Sequence, residues 1–258
     1  MLFVLSPAKS LDYEAPAPAV TPTSTQFNAQ SKELIALLRA LSVQQVAELM
    51  DLSDKLAALN VARYAAWSSR ATAKNARPAV FAFDGDVYDG LAARSLGVIE
   101  LQWAQEHLCI LSGLYGVLRP LDMMQPYRLE MGTALANAHG GNLYKFWGDT
   151  LAKHLNQRLK VDGSGVLVNL ASQEYFKAAN TPALKARVVE CQFQDYKNGQ
   201  YKVISFNAKR ARGAMARYAI THRLAQVEDL RAFDIDGYRW DKAASSSDTL
   251  VFRRKAAN

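Results

Sequence analysis

Apolar residues along the 258-residue chain repeat in two rhythms, and the change between them marks the elements. Leu2–Leu5 is a short unbroken apolar run closed by Ser6-Pro7, which predicts a buried strand. Residues 14–25 are the Pro/Thr-rich stretch and read as a surface loop. Helical spacing takes over with Leu34, Leu37, Leu38 and Leu41. Ser42-Val43-Gln44-Gln45 is a capping-box pattern that starts a new helix. Ser53 predicts the N-cap of a third, with Leu56, Leu59, Tyr64 and Trp67 on successive turns.

The middle of the chain predicts a strand over Ala79–Phe83 running into a turn at Asp84-Gly85-Asp86, and another over Leu108–Leu111. Leu143–Leu159 reads as one long helix striped by Leu143, Phe146, Trp147, Leu151, Leu155 and Leu159. Val166–Leu170 is a buried strand. Arg187–Gln194 and Gln200–Phe206 flank Asn198-Gly199, a strong hairpin signal. A helix over Ala208–His222 and a strand over Thr249–Phe252 complete the pattern. Uneven alternation plus one antiparallel hairpin predicts a mixed α/β (α+β) fold, a mixed sheet surrounded by helices, rather than a regular doubly wound one. The length suits one domain over 1–258.

Composition adds little until charge is mapped. The net charge is +7, and between Asp195 and Glu228 stand seven basic residues and no acidic one; the rest balances at 24 and 24. Such a window is either a solvated face or a surface for a phosphate-bearing partner. Within it, Lys209 and Arg212 share a helix face with Arg217 near, and a helix starting at Ala208 puts Lys209 and Arg210 in its first turn, against the dipole unless an anion sits there. Gly213 inside that helix calls for close approach of another backbone or a ligand. Cys109 and Cys191 lie in apolar runs and read as buried hydrophobes of a reducing compartment. No apolar stretch approaches the roughly 18 residues of a membrane span, and Met1–Leu5 lacks the basic lead of a secretory leader. The expectation is a cytoplasmic protein without a membrane partner.

Recognisable chemistry is sparse. No nucleotide, dinucleotide, hydrolase-elbow or zinc-protease motif occurs, so nothing calls for a cofactor. The four histidines are scattered and no metal site is expected. Asp84–Gly90 starts like a calcium loop but has Tyr88 at the fifth position and Ser95 at the twelfth, and reads as a turn. Ser6-Pro7-Ala8-Lys9 has the spacing in which a lysine activates a serine, but Ser6 closes a strand; Lys9 pointing its ammonium at an anion is the stronger reading. Residues 46–60 compare with a helix-hairpin-helix in which Asp51 and Ser53 replace both glycines and Lys55 follows; two ordinary consecutive helices fit as well.

These runs carry a resemblance. SPAKSLDY (6–13), LSDKLAALN (52–60), FDGDVYDGL (83–91), LSGLYGVLRPLDMMQPYRLEMG (111–132), LYKFWGD (143–149), NLASQEYFK (169–177) and ISFNAKRARGAMAR (204–217) resemble the bacterial YaaA peroxide-stress-response family across nearly the whole chain. The resemblance implies a cytosolic protein that limits iron-linked oxidative damage, and a monomer is expected. It also implies a family-specific mixed fold with a positively charged cleft, a helix-hairpin-helix-like element and DNA binding with little sequence preference. Carried over by motif, the hairpin falls on Asp51, Ser53 and Lys55. The cleft charges fall on Lys9, Arg119, Arg128, Lys177, Lys209, Arg210 and Arg212, with Arg217 adjoining. No catalytic residue is carried over. The alternative is an enzyme acting on DNA or a nucleotide-like small molecule around Ser6, Lys9, Arg128, Glu130 and Lys209. Direct iron sequestration suits the sparse histidine and cysteine poorly.

Overall fold

Four buried apolar residues build β1 (Leu2–Leu5), the strand around which the sheet assembles. The computed structural model describes residues 1–16 and 18–255; Ala17, inside the loop expected over 14–25, and residues 256–258 lie outside the described residues. After β2 (Ser10–Leu11) come α1 (Asn28–Arg39), α2 (Val43–Met50) and α3 (Asp54–Ala66). Leu34 and Leu38 bury α1, and Ser42 with Gln45 forms the expected capping box on α2. On α3 the stripe differs from expectation. Ala57, Asn60 and Tyr64 face inward while Leu56 and Leu59 are exposed, and the Ser53 side chain makes no capping bond.

The strand expected over Ala79–Phe83 is mostly helix. After β3 (Arg77–Pro78), α4 (Ala79–Ala82) is a single buried turn, and only Phe83–Asp84 is strand, β4. A short apolar run buried on all sides has the same pattern in either state. The expected turn at 84–86 is a sharp entry into α5 (Asp86–Leu91), made at Gly85 with φ 141°. Then follow α6 (Val98–His107), β5 (Leu108–Ser112), β6 (Gly116–Leu118) and β7 (Met123–Met124). The long helix expected over 143–159 is two, α7 (Leu143–Trp147) and α8 (Thr150–Asp162), broken where Gly148 takes φ 45°. β8 (Val166–Leu170) and α9 (Gln173–Phe176) precede the hairpin of β9 (Arg187–Lys197) and β10 (Gln200–Lys202), turned at Asn198 and Gly199, both at positive φ. Strand pairing stops at Lys202, and α10 (Ser205–His222) starts three residues before the expected Ala208. Lys209 and Arg210 therefore stand in its second turn, and no basic side chain of the window opposes the dipole from the first turn. β11 (Arg239–Trp240) and β12 (Thr249–Lys255) finish the chain.

Eight strands form one mixed sheet in the order β11-β12-β9-β8-β1-β5-β6, with β10 on β9. The five central strands from β12 to β5 are parallel, and β6, β10 and β11 run antiparallel at the margins. β1, β5 and β8 are buried almost throughout, as parallel strands covered on both faces must be. From β1 the chain goes to β5 on one side and later returns to β8 on the other. The gap between the carboxyl ends of β1 and β8 is thus a topological switch point, where open α/β sheets place ligands.

Two glycines bring the charged helix to that gap. A Cβ on Gly213 of α10 would lie 1.7 Å from the Val87 carbonyl oxygen, and one on Gly90 of α5 would lie 2.0 Å from that of Arg210. α5 and α10 therefore cross backbone to backbone, which answers the question Gly213 raises in the sequence.

Candidate functional site

At the carboxyl end of β1, the Ser6 hydroxyl accepts from the Ser172 amide at 2.8 Å and donates to the Ser172 hydroxyl at 3.3 Å. This ties the end of β1 to the start of α9, which Ser172 caps. The Tyr88 hydroxyl donates to the Ser6 carbonyl at 3.1 Å. Ser6 is thus a fastener between strand ends, and Lys9 is turned elsewhere. The Lys9 ammonium meets Glu130 at 2.8 Å, and Arg128 reaches the other Glu130 oxygen at 3.1 Å. The segment bearing Arg128 and Glu130 is held against β5 because Gly113 has no side chain: a Cβ there would lie 2.2 Å from the Leu129 carbonyl oxygen.

Between these parts lies a cavity of about 400 Å³, lined among others by Ser6, Lys9, Ser172, Glu130, Lys209 and Arg212. Asp84, Asp86 and Glu174 also face it. Arg212 is largely buried, and desolvation pushes its pKa down, with Glu190 opposing. Glu190 itself is held by Asn169, whose Nδ2 donates to both carboxylate oxygens at 2.9 and 3.0 Å. Among the described residues, neither Lys209 nor Arg212 makes a salt bridge or side-chain hydrogen bond. Lys209 is exposed, but Arg212 is a cation largely taken out of water without a direct partner, which is costly and favours a bound anion beside it.

The structure gathers some of the expected residues and scatters others. Lys9, Lys209 and Arg212 line the cavity, and Arg128 stands one side chain behind it through Glu130. Arg119 follows β6, which runs antiparallel to β5, so it lies toward the amino ends of the parallel strands, opposite the cavity, paired with Asp122 at 3.0 Å. Arg210 pairs with Asp236 at 3.3 Å. Arg217 donates to the carbonyls of Leu91 and Ala92, closing the C-terminus of α5. Lys177 is exposed and sits over the Tyr144 ring at 4.7 Å. Asp51, at φ 50°, and Ser53 lie in the exposed turn between α2 and α3, Lys55 is exposed on the first turn of α3, and none of the three lines the cavity. Sequence reasoning missed Asn169, Glu190, Asp84 and Asp86 as parts of the site. The Asn-Leu-Ala-Ser run leaving β8 was the available signal for Asn169. It also missed Arg63 of α3, half-buried beside Arg128 and bonded to Asn60 Oδ1 at 3.3 Å, whose pKa burial pushes down.

The family profile described as peroxide stress protein YaaA matches residues 1–244. The chain belongs to the YaaA family of peroxide stress proteins. It is 63% identical to a UPF0246 protein of Paracidovorax citrulli over the full length of both chains. It is 62% identical to a UPF0246 protein of Variovorax paradoxus over 99% of each, and likewise to one of Bordetella petrii over 99% of this chain and all of the other.

In this YaaA-family member neither cysteine is built to meet peroxide. Peroxide reacts with the thiolate, and burial raises the pKa of Cys109 and pushes that of Cys191 up to about 12. Among the described residues no group of three or more histidine, cysteine or acidic side chains is placed to hold a metal ion, and no helix is long and apolar enough to cross a membrane.

Proposed function

We propose that this YaaA-family protein binds DNA with little sequence preference, seating backbone phosphate on Lys9, Lys209 and Arg212. In this reading it acts as a one-domain cytoplasmic monomer and limits iron-linked oxidative damage under peroxide. The observation that carries the proposal is the convergence of three cations from two segments, the loop after β1 and α10, on one cavity, two of them without protein partners. The α2–α3 turn supports it as a second contact. Asp51 takes the left-handed conformation that glycine takes in a helix-hairpin-helix, and Lys55 is exposed beside it. The test is duplex binding by fluorescence anisotropy with Lys209→Ala and Arg212→Ala together. Each lost phosphate contact lowers affinity at every sequence alike. Unchanged affinity in the double variant would assign both residues to an ordinary solvated face.

A second reading, an enzyme acting on DNA or a nucleotide-like small molecule, draws on the same cavity. What favours it is that Ser6, Lys9, Glu130 and Lys209 line one cavity of small-molecule size, with Arg128 bonded to Glu130. Lys9 is its key residue, since arginine cannot be deprotonated in a protein. Under the binding reading, Lys9→Arg keeps most of the DNA affinity, and borohydride treatment with DNA traps nothing on Lys9. A trapped adduct on Lys9 of the wild type, absent from Lys9→Arg, makes the enzyme reading the right one.

A further inference from the structure

The cavity carries charges of both signs that ignore one another. Asp84 and Asp86 line it together with Lys209 and Arg212. Among the described residues none of the four makes a salt bridge, although Lys9 and Glu130, in the same cavity, are paired at 2.8 Å. A surface meant only for a run of phosphates gains nothing from carboxylates, which repel each phosphate that approaches. A space of about 400 Å³ is also too small for a duplex, whose major groove alone is about 12 Å wide. It lies within the roughly 300–1,000 Å³ of small-molecule sites.

The ligand that satisfies both sets of charges has an anion at one end and hydrogen-bond donors at the other. We infer that the cavity takes one nucleoside monophosphate unit, its phosphate on Lys209 and Arg212 and its base amino group and sugar hydroxyl on Asp84 and Asp86. Carboxylates accept from exocyclic amino groups, and proteins that draw a nucleotide out of a duplex read it by such bonds in an enclosed pocket. The pairing of chemistry to side chain also sets a preference. Cytosine, adenine and guanine carry the amino donor and thymine does not. Arg212 is the deep anchor, because Asn169 bonds both oxygens of Glu190 and so holds that carboxylate near the guanidinium without a direct ion pair. The inference rests on the phosphate reading of Lys209 and Arg212 proposed above and adds what else the ligand must carry. The unit comes either as a free mononucleotide or as an unpaired nucleotide within DNA.

Calorimetric titration of the full chain with dCMP, dTMP, deoxycytidine and inorganic phosphate tests the chemistry. Anisotropy with a fully paired duplex and with one carrying a single unpaired cytidine separates the two sources. The expected result is dCMP binding about tenfold tighter than inorganic phosphate and tighter than dTMP. Tighter binding of the bulged duplex than of the paired one assigns the site to DNA, and equal binding of the two assigns it to the free nucleotide. The sharper arm is the double variant Asp84→Asn with Asp86→Asn, for which the two ligands move in opposite directions. Inorganic phosphate binds more tightly because repulsion is gone, and dCMP binds more weakly because each carboxamide keeps only one, neutral acceptor oxygen and sets an N–H donor where the base and sugar donors need an acceptor. Should circular dichroism show the double variant unfolded, exposed Asp84→Asn alone carries the comparison. If dCMP binds no better than phosphate, or the carboxamides tighten both, the inference is overturned. Paired-duplex binding that persists in that case leaves the DNA reading standing. Conversely, dCMP binding as expected with no DNA bound at any length defeats the DNA reading and leaves the nucleotide site in place.

Discussion

On α10, Arg212 turns a largely buried guanidinium to the cavity, whereas Arg217 donates to the carbonyls of Leu91 and Ala92 and holds the end of α5. In the sequence the two are alike, members of one basic window, because charge along a chain carries no record of which side chains meet a protein partner. The same limit hides His154. It reads as one of four scattered histidines, yet burial, helped by Arg158 and Arg119, pushes its pKa down to about 4, and its ring packs on Phe27 at 5.3 Å between centroids. The native state therefore holds His154 neutral where the unfolded chain, at about 6.5, takes up a proton. Its contribution to stability is present above pH 6.5 and is lost as pH falls toward 4, since the unfolded state binds the extra proton across that window. Thermal unfolding at pH 7 and pH 5 measures this. The wild type loses a few degrees more than His154→Gln between the two conditions. Equal losses would show that the ring accepts a proton in the fold without strain.

The crossing of α5 over α10 is what makes the site possible, because it holds the turn carrying Lys209 and Arg212 beside Asp84 and Asp86. Gly213→Ala drives a methyl group to 1.7 Å from the Val87 carbonyl oxygen, against backbone that has nowhere to move. The expected cost is about 3 kcal/mol, the top of the range for overpacking, or more. Gly141→Ala, with nothing within 4 Å, is the control and is expected to be near neutral. Denaturant melts of both variants check this; equal stability would mean that the helices separate freely. Gly213 was legible as an anomaly in the sequence because glycine inside a helix needs a reason, but its partner Gly90 sat in a segment read as a turn. Features with a local signature were legible: the short bounded apolar runs of β1, β5 and β8, the α2 capping box and the 198–199 turn. Those decided by neighbours were not. Ala79–Ala82 is buried on every side and so shows no period, and Gly148 divides α7 from α8 inside an unbroken apolar stripe. Leu56 and Leu59 have the spacing of a core stripe on α3 and are exposed, since the face that packs is set by Ala57, Asn60 and Tyr64.

At the scale of the molecule, a mixed sheet was legible from the balance of strands and helices, but the switch point between β1 and β8 was not. That gap depends on β8 pairing in register with a strand more than 160 residues earlier, Leu2 with Leu167 and Leu5 with Leu170. The same pairing explains why Ser6 and Ser172, far apart in sequence, meet at the rim of the cavity. It also decides how the net charge of +7 is used. Arg119 lies toward the amino ends of the parallel strands, Arg210 and Arg217 are taken by Asp236 and by the end of α5, and Lys9, Lys209 and Arg212 alone of the expected cations line the cavity. A uniformly basic groove with six to ten phosphate contacts loses affinity steeply with salt. Three phosphate contacts, one on Lys209 with Arg212, one on Lys9 and one on Lys55 at the α2–α3 turn, give a shallow dependence, a slope of log affinity against log salt of about −2.7, at about −0.9 for each phosphate neutralised on duplex DNA. Duplex binding measured from 50 to 200 mM salt reads that slope directly. Replacing Lys209 and Arg212 by alanine reduces it to about −1.8, the share left to Lys9 and Lys55. A wild-type slope of −6 or steeper would place the main contact surface outside the cavity, with Lys55, Arg63 and Lys177 as the first residues to replace.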